Sequence, residues 1–264
     1  MNNIAIRASS MPGLFDCPAR WEATYIRGLR IPSNDKAMLG KAVHASTAVY
    51  DLNHLRGNKI TVDEAAGAAV DAIQKPDEEV LWEEAPNKVE KIALDLHHLY
   101  CADVAPTMDY AGVEITCETL EITDLGLVLT GTADRVYKDK EGHWGVADIK
   151  TGKCAVNTDG TAKTAGHAWQ LGVYELLVSA ATGIQMEAPA QVIGLQAGKT
   201  AKGQRSGTGQ VHNPKAALIG EGDGPGILEM AANLIHSGNF FPNPRSMFCS
   251  SKSCPIHNTC IVRR

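Results

Sequence analysis

Near residue 107 the chain changes texture, and that change limits the folds open to it. Before it, apolar residues recur at helical spacing. After it come β-branched runs, "GVEITCETLEI", "LGLVLTGTADRVY" and "HWGVADIK", separated by "TD" and "KDKEG". Such runs between turn signals predict three antiparallel strands in a meander. Upstream, residues 12 to 30 predict a short helix carrying Leu14, Phe15, Trp21 and Tyr25, and residues 36 to 56 a second. Thr61 with Glu64 forms a capping box that opens a third helix, running to about Gln74, and a fourth covers about 87 to 105. Downstream, "AGHAWQLGVYELLVSAATG" reads as a helix closing at Gly183, and "APAQVIGLQA" as a strand with "GQVH" as its candidate neighbour. The intervening "GKTAKGQRSGTG" is glycine-rich and basic and reads as a mobile loop. "GPGILEMAANLIHSGNFF" is a last helix, and the tail from Pro242 is irregular. The order predicts one domain with an α/β core over 107–240, a helical elaboration over 1–106 and a cysteine-rich tail over 241–264.

A chain of 264 residues with 44% hydrophobic and 21% charged residues can bury its core without staples. Any metal ligation is then local or functional. The first twenty residues carry no apolar signal segment, and no run approaches 18 apolar residues, which predicts no membrane association. Seven cysteines without an export signal favour reduced thiols or metal ligands, and a cytoplasmic protein. The net charge of −5 weighs against a generic DNA binder. It leaves open an enzyme that acts on DNA through bound cations, which needs only carboxylates and a local basic groove.

Strand alternation puts Val146, Asp148 and Lys150 on one face of "WGVADIKTGK". Asp134, in "GTADRV", occupies a similar apolar setting on the preceding strand. Two carboxylates and a lysine make a hard oxygen site for Mg²⁺ or Mn²⁺ with a cation beside it. Taken alone, "D-x-K" reads rather as a salt bridge at a strand end, with Asp134 in a turn, since the tripeptide recurs by chance. A phosphate-binding P-loop is excluded, because Ala147 and Cys154 stand where that motif needs glycine and a hydroxyl. Gln170 and Tyr174 are four apart and share one helix face, and His44 lies mid-helix in "GKAVHA", where small residues permit close packing.

In that order, His44, "GTADRV", "DIKTGK" and "QLGVY" resemble the RecB-type branch of the PD-(D/E)XK nuclease superfamily. The resemblance covers about residues 12 to 180 and again the tail. It implies a restriction-endonuclease-like fold, a central mixed β-sheet flanked by helices. It also implies that His44, Asp134, Asp148 and the backbone carbonyl of Ile149 ligate the metal. Lys150 would assist the attacking water, and Gln170 and Tyr174 would organise the site. The implied activity is a metal-dependent DNA exonuclease acting on linear or single-stranded DNA. The alternative is a non-catalytic DNA-binding module of a recombination or CRISPR-adaptation complex, so partner proteins of a recombination or replication assembly are also implied. Ala147 replaces the proline of the family's "PD", and Glu118 and Glu121 are possible extra carboxylates.

"CSSKSCPIHNTC" places Cys249, Cys254 and Cys260 in one short segment, and "FDCPARW" offers Cys17 as a fourth ligand. The arrangement resembles the AddB subunit and CRISPR-associated relatives, in which such cysteines hold a [4Fe–4S] cluster that clamps the chain ends together. The spacing departs from the commoner C-x₂-C-x₅-C, so Zn²⁺ is the alternative, with His257 replacing one thiolate. A third reading is a zinc-stabilised interaction protein whose carboxylates only pair with lysines. Cys101, Cys117 and Cys154 read as incidental thiols. Arg20, Arg27, Arg30, Lys36 and Lys41 add local cations, and Lys199, Lys202 and Arg205 on the glycine-rich segment are the candidate DNA-binding group.

Overall fold

The computed structural model describes residues 3–220 and 224–263. Strand β1 (Ile4–Arg7) leads into helices α1 (Met11–Asp16) and α2 (Pro18–Tyr25). The expected single helix is therefore two. Pro18 drives the residue before it out of the helical region, and Cys17 sits at φ −148°, ψ 89° between them. After the short β2 (Ser33–Asn34) comes α3 (Asp35–Leu55), opened by Asn34, whose side chain accepts from the amides of Lys36 and Ala37. Helix α4 (Val62–Gln74) starts on the complete Thr61–Glu64 capping box. The short β3 (Val80–Leu81) and α5 (Pro86–Asp103) complete the helical layer.

The expected meander is one long hairpin that breaks. Its outer parts are β4 (Asp109–Thr116) and β7 (Thr132–Lys138), and its tip is β5 (Leu120–Ile122) and β6 (Leu127–Thr130). Thr116 faces Thr132 but Leu120 faces Leu129, so the register slips by a residue at the break. The tip pairs instead with β1 in a separate sheet of order β1-β6-β5. Gly131 sits at the bend because nothing larger fits. A Cβ there would lie 3.0 Å from a Tyr174 ring carbon and 3.2 Å from the Ala8 Cβ.

The central sheet is mixed. Strand β8 (Trp144–Gly152) runs antiparallel to β7 and parallel to β9 (Ala190–Gln196), which pairs antiparallel with β10 (Arg205–Val211). The order is β10-β9-β8-β7-β4. Helix α6 (Ala168–Thr182) covers one face, ends on Gly183 in the left-handed region, and is backed by α7 (Pro214–Ile219) and α8 (Ile227–Ser237). Helices α3, α4 and α5 cover the other. Alternation along β8 sends Val146 into the α6-side core and Ala147 and Ile149 into the α3-side core. The result is the α/β, restriction-endonuclease-like arrangement of a mixed sheet between helical layers. Among the described residues, no helix is long and apolar enough to cross a membrane.

The glycine-rich segment is not a simple loop. Its second half is β10, and its glycines admit backbone rather than confer freedom. A Cβ on Gly207 would meet the Gly160 carbonyl oxygen at 2.3 Å, and one on Gly209 would meet that of Ala162 at 2.7 Å. Only the stretch before β10, with a 3-10 turn at Ala201–Gly203, is irregular.

Candidate active site

The site lies where α3 crosses the middle of the sheet. At Gly40 the helix approaches β8 closely enough that a Cβ would stand 3.2 Å from Thr151 Oγ1. One turn later His44 reaches the strand, with Nε2 2.9 Å from the Ile149 carbonyl oxygen and Nδ1 3.5 Å from Asp134 Oδ2. The same Asp134 oxygen accepts the Ile149 amide proton at 2.8 Å. Asp134, His44 and the main chain of Ile149 thus converge.

A third acid joins them. Glu114 has φ 49°, the left-handed region that side chains rarely adopt, just past a β4 bulge between Tyr110 and Gly112. One ligand atom each from His44, Glu114 and Asp134 lies within 4.8 Å of the others. Burial, and next the charge of Asp134, raise the Glu114 carboxyl above its ordinary range, as acids crowded together should behave. Sequence reasoning missed Glu114, because "GVEIT" reads as regular alternation with the glutamate facing outward. Glu118 and Glu121 are exposed on the broken part of the hairpin.

Asp148 stands beside this trio, outside the 4.8 Å group. Its Oδ1 accepts from Gln170 Nε2 at 3.0 Å, and the same amide nitrogen donates to the Tyr174 hydroxyl at 2.9 Å. Gln170 and Tyr174, one turn apart on α6, therefore act as a unit. Asp148 Oδ2 is buried and accepts no well-directed hydrogen bond, although Lys150 Nζ is 2.5 Å away. Burial pushes the Asp148 carboxyl up to about 6 against the opposing pull of Lys150. Lys150 is the solvent-facing member, with 27% of its side chain exposed. His167, at the start of α6, is pushed down to about 4 by burial and then by the charge of Lys150.

Beneath the trio lies a buried polar network. Arg135, fully buried, donates from Nε to Asp51 Oδ2 at 2.7 Å and from Nη1 to the Asp134 carbonyl at 2.7 Å. The same Nη1 stands 3.5 Å from Glu114 Oε1, and the Tyr100 hydroxyl donates to Asp51 Oδ2. This guanidinium fixes the backbone of one acid and the carboxylate of another.

An imidazole, two carboxylates and a main-chain carbonyl, whose second lone pair is not used by His44, make a mixed N/O donor set of the kind that holds Mg²⁺ or Mn²⁺. The crowding of Glu114 and Asp134 beside His44 fits a site for a cation.

The tail docks on the α1–α2 corner. The Ala19 amide bonds the Phe241 carbonyl, and Asn243 Nδ2 bonds the Asp16 carbonyl. Cys17, Cys249, Cys254 and Cys260 line one cavity, and all four are free thiols. The Asn243 amide donates to Cys17 Sγ at 3.4 Å, and Arg263 Nη2 reaches Cys249 Sγ at 3.7 Å. Among the described residues, no three of these sulfurs lie within 4.8 Å of one another. Cys101 and Cys117 are buried elsewhere and Cys154 is exposed.

The cations singled out on the glycine-rich segment differ in their commitments. Lys199 pairs with Glu84 at 3.0 Å, and Lys202 is exposed. Arg205 opens β10, and its guanidinium bonds the carbonyls of Val156 and Asn157 and the side chain of Gln196.

A comparison with curated proteins found no match. Among solved structures, one named "Putative exonuclease" from Eubacterium rectale is 13% identical over 93% of this chain and 86% of its own, with a TM-score of 0.55. The structure of SSO0001 is 14% identical over 100% of this chain and 89% of its own, with a TM-score of 0.44. The first shares the fold; the second is too dissimilar to carry an argument. The family model of the PD-(D/E)XK nuclease superfamily matches residues 8–261, nearly the whole chain, and the protein belongs to that superfamily.

Proposed function

We propose that this nuclease is a divalent-metal-dependent deoxyribonuclease, hydrolysing phosphodiester bonds from free ends or within single strands. The observation that carries the proposal is the convergence of His44, Glu114 and Asp134 on one point beside the Asp148–Lys150 pair. His44, Glu114, Asp134, Asp148 and the Ile149 carbonyl would hold Mg²⁺ or Mn²⁺, which supplies Lewis acidity to a phosphate and acidifies nearby water. Lys150 places a positive charge at the solvent edge of the site, where it can orient the attacking water and stabilise charge gathering on phosphoryl oxygens. Gln170 keeps Asp148 from rotating, and Tyr174 keeps Gln170 in place. The His44 tautomer with hydrogen on Nε2 is held by the Ile149 carbonyl, which leaves Nδ1 free to act as a ligand.

Cys17, Cys249, Cys254 and Cys260 would hold a [4Fe–4S] cluster, with Zn²⁺ as the alternative. The four thiols gathered on one cavity and the N–H groups aimed at Cys17 and Cys249 support a metal–thiolate site. Its role is to fasten the tail to the α1–α2 corner, since hydrolysis moves no electrons. Anaerobically purified protein that is brown and contains iron supports this assignment, and colourless protein with stoichiometric zinc overturns it. Lys199, Lys202 and Arg205 would follow a phosphate backbone; the exposure of Lys199 and Lys202 supports this for those two, while Arg205 is engaged by backbone carbonyls.

The test is digestion of matched linear, circular and single-stranded DNA with Mg²⁺ or Mn²⁺. Linear and single-stranded substrates should be degraded, and Asp148→Ala and Lys150→Ala should each abolish this. Cleavage that survives both substitutions removes these residues from the chemistry. DNA binding without cleavage under any metal favours the non-catalytic module instead.

A further inference from the structure

Five of the eight residues 77–84, "DEEVLWEE", are acidic and none is basic. The backbone there is pinned. Val80 and Leu81 form β3 against Ser33 and Asn34, the Ser33 amide bonds the Glu79 carbonyl at 3.1 Å, and Trp82 packs on the α3-side core. The acids lie on either side of this anchor, and lysines from distant parts of the chain meet them. Lys41 of α3 pairs with Glu78, and with Asp77 at 3.6 Å. Lys199, just past β9, pairs at 3.0 Å with Glu84, which Lys88 also approaches at 3.7 Å. Lys252, between Cys249 and Cys254 of the tail, pairs with Glu83 at 2.5 Å. Glu78, Glu83 and Glu84 are each held below the ordinary carboxylate range, first by the hydrogen bond from Lys41, Lys252 and Lys199 respectively.

Two of the three lysines stand at the approach to the candidate active site. Lys41 follows Gly40, which lies against Thr151, and precedes His44 by three residues. Gln196 pairs with Gly152 at the end of β8, and Lys199 comes three residues later. Both cations therefore flank the end of the strand that carries Asp148 and Lys150. A groove for a nucleic-acid backbone needs such cations free, yet one segment holds them all. Stability explains this poorly. The Lys41, Lys199 and Lys252 side chains are 47%, 79% and 78% exposed, and ion pairs so exposed contribute little and exchange readily. Trp82 and the β2–β3 ladder already fasten the segment.

We propose that residues 77–84 stand in for the phosphates of DNA, holding Lys41, Lys199 and Lys252 until a strand displaces them. The inference goes beyond the nuclease reading and rests on it only for the class of ligand. A carboxylate offers a lysine one negative charge and two oxygens, as an internal phosphodiester does. Exchanging one for the other needs no change of fold, because the backbone stays pinned and only side chains turn. Each lysine handed to a phosphate leaves an acid that must regain a counterion, so the strap lowers both the affinity for DNA and its dependence on salt. Releasing three pairs together takes a strand with several phosphates, so a lone nucleotide competes poorly.

The test is fluorescence anisotropy of a labelled single-stranded oligonucleotide over a salt series, with EDTA present so that nothing is cleaved. The variant Asp77→Asn/Glu78→Gln/Glu83→Gln/Glu84→Gln should bind about tenfold or more tighter than wild type at about 50 mM salt. Its log affinity should also fall more steeply with log salt, by about 2, or about 0.7 for each lysine freed. Glu83→Gln/Glu84→Gln leaves Lys41 held and should give part of both changes. All seven positions substituted are exposed or half-buried, so melting temperatures should stay near the wild-type value. In a Lys41→Gln/Lys199→Gln/Lys252→Gln background the four acid substitutions should gain almost nothing, which separates held lysines from general repulsion between acids and DNA. Equal affinity of wild type and the four-acid variant, no DNA binding by either, or the same gain in both backgrounds overturns the proposal. Tighter binding with no cleavage of any DNA under Mg²⁺ or Mn²⁺ leaves the strap standing and the nuclease reading refuted; cleavage with equal binding does the reverse.

Discussion

Replacing Arg135 with methionine tests the foundation of the site. The arginine is fully buried, and its Nε holds Asp51 Oδ2 at 2.7 Å, with the Asp51 side chain 2% exposed. Methionine has similar bulk and no charge, so the core stays filled while Asp51 becomes a buried carboxylate with only the Tyr100 hydroxyl for company. Removing one partner of a buried pair costs about 3–5 kcal/mol, because the other charge is stranded. The Asp134 carbonyl also loses its donor, which adds to the cost. For a chain of this size that loss lowers the melting temperature by about 6–20 °C. Thermal unfolding followed by circular dichroism reads this directly. Asp51→Asn in the Arg135→Met background neutralises the stranded charge and should recover a substantial part of the loss. A drop of less than about 2 °C, or a double variant no more stable than Arg135→Met, would refute the reasoning that this pair is the site's buried anchor.

Two further outcomes follow from single positions. Gly131→Ala forces a Cβ to within 3.0 Å of the Tyr174 ring, so about 1–3 kcal/mol of stability should be lost, and DNA cleavage should fall as the Tyr174–Gln170 contact shifts; denaturant titration and a cleavage rate check both. Glu175, buried on α6 with Oε2 unpaired, is raised to about 7 by burial despite the opposing charge of Lys215. A carboxyl raised above its unfolded value binds its proton more tightly when folded, so its contribution is fully present below about pH 4 and is lost as pH rises toward 7. Glu175→Gln should therefore flatten the decline in stability between about pH 4 and 7, and an unchanged profile by pH-dependent melting counts against the assignment.

The sequence carried the outline of this molecule where local physics acts alone. The Thr61–Glu64 box, the Gly183 stop and the 3.6-residue periodicity of α3 and α5 each depend on neighbours a turn away, and the structure has them. The order of motifs likewise made the family legible. What escaped depends on tertiary contact. The hairpin break at Gly131 exists because α6 presses Tyr174 against it, which no periodicity records. The glycines of β10 were legible as glycines but not as a surface against which residues 160–162 pack. Pro18 should have divided the first helix, since its effect on Cys17 is local. Glu114 was hidden most completely, because a left-handed residue inside a strand turns an outward glutamate toward His44 and Asp134. Asp148, given by its motif as a ligand, is engaged by Gln170 and Lys150 beside the trio.

The central claim is that His44, Glu114 and Asp134 together make one divalent cation site. Electron paramagnetic resonance of free Mn²⁺, titrated against protein without DNA, counts bound ions and needs no catalysis. The wild-type protein should take up manganese in a site that Asp134→Ala abolishes and that His44→Ala and Glu114→Gln each weaken. Uptake unaffected by any of the three substitutions would contradict the account, whatever the protein then does to DNA.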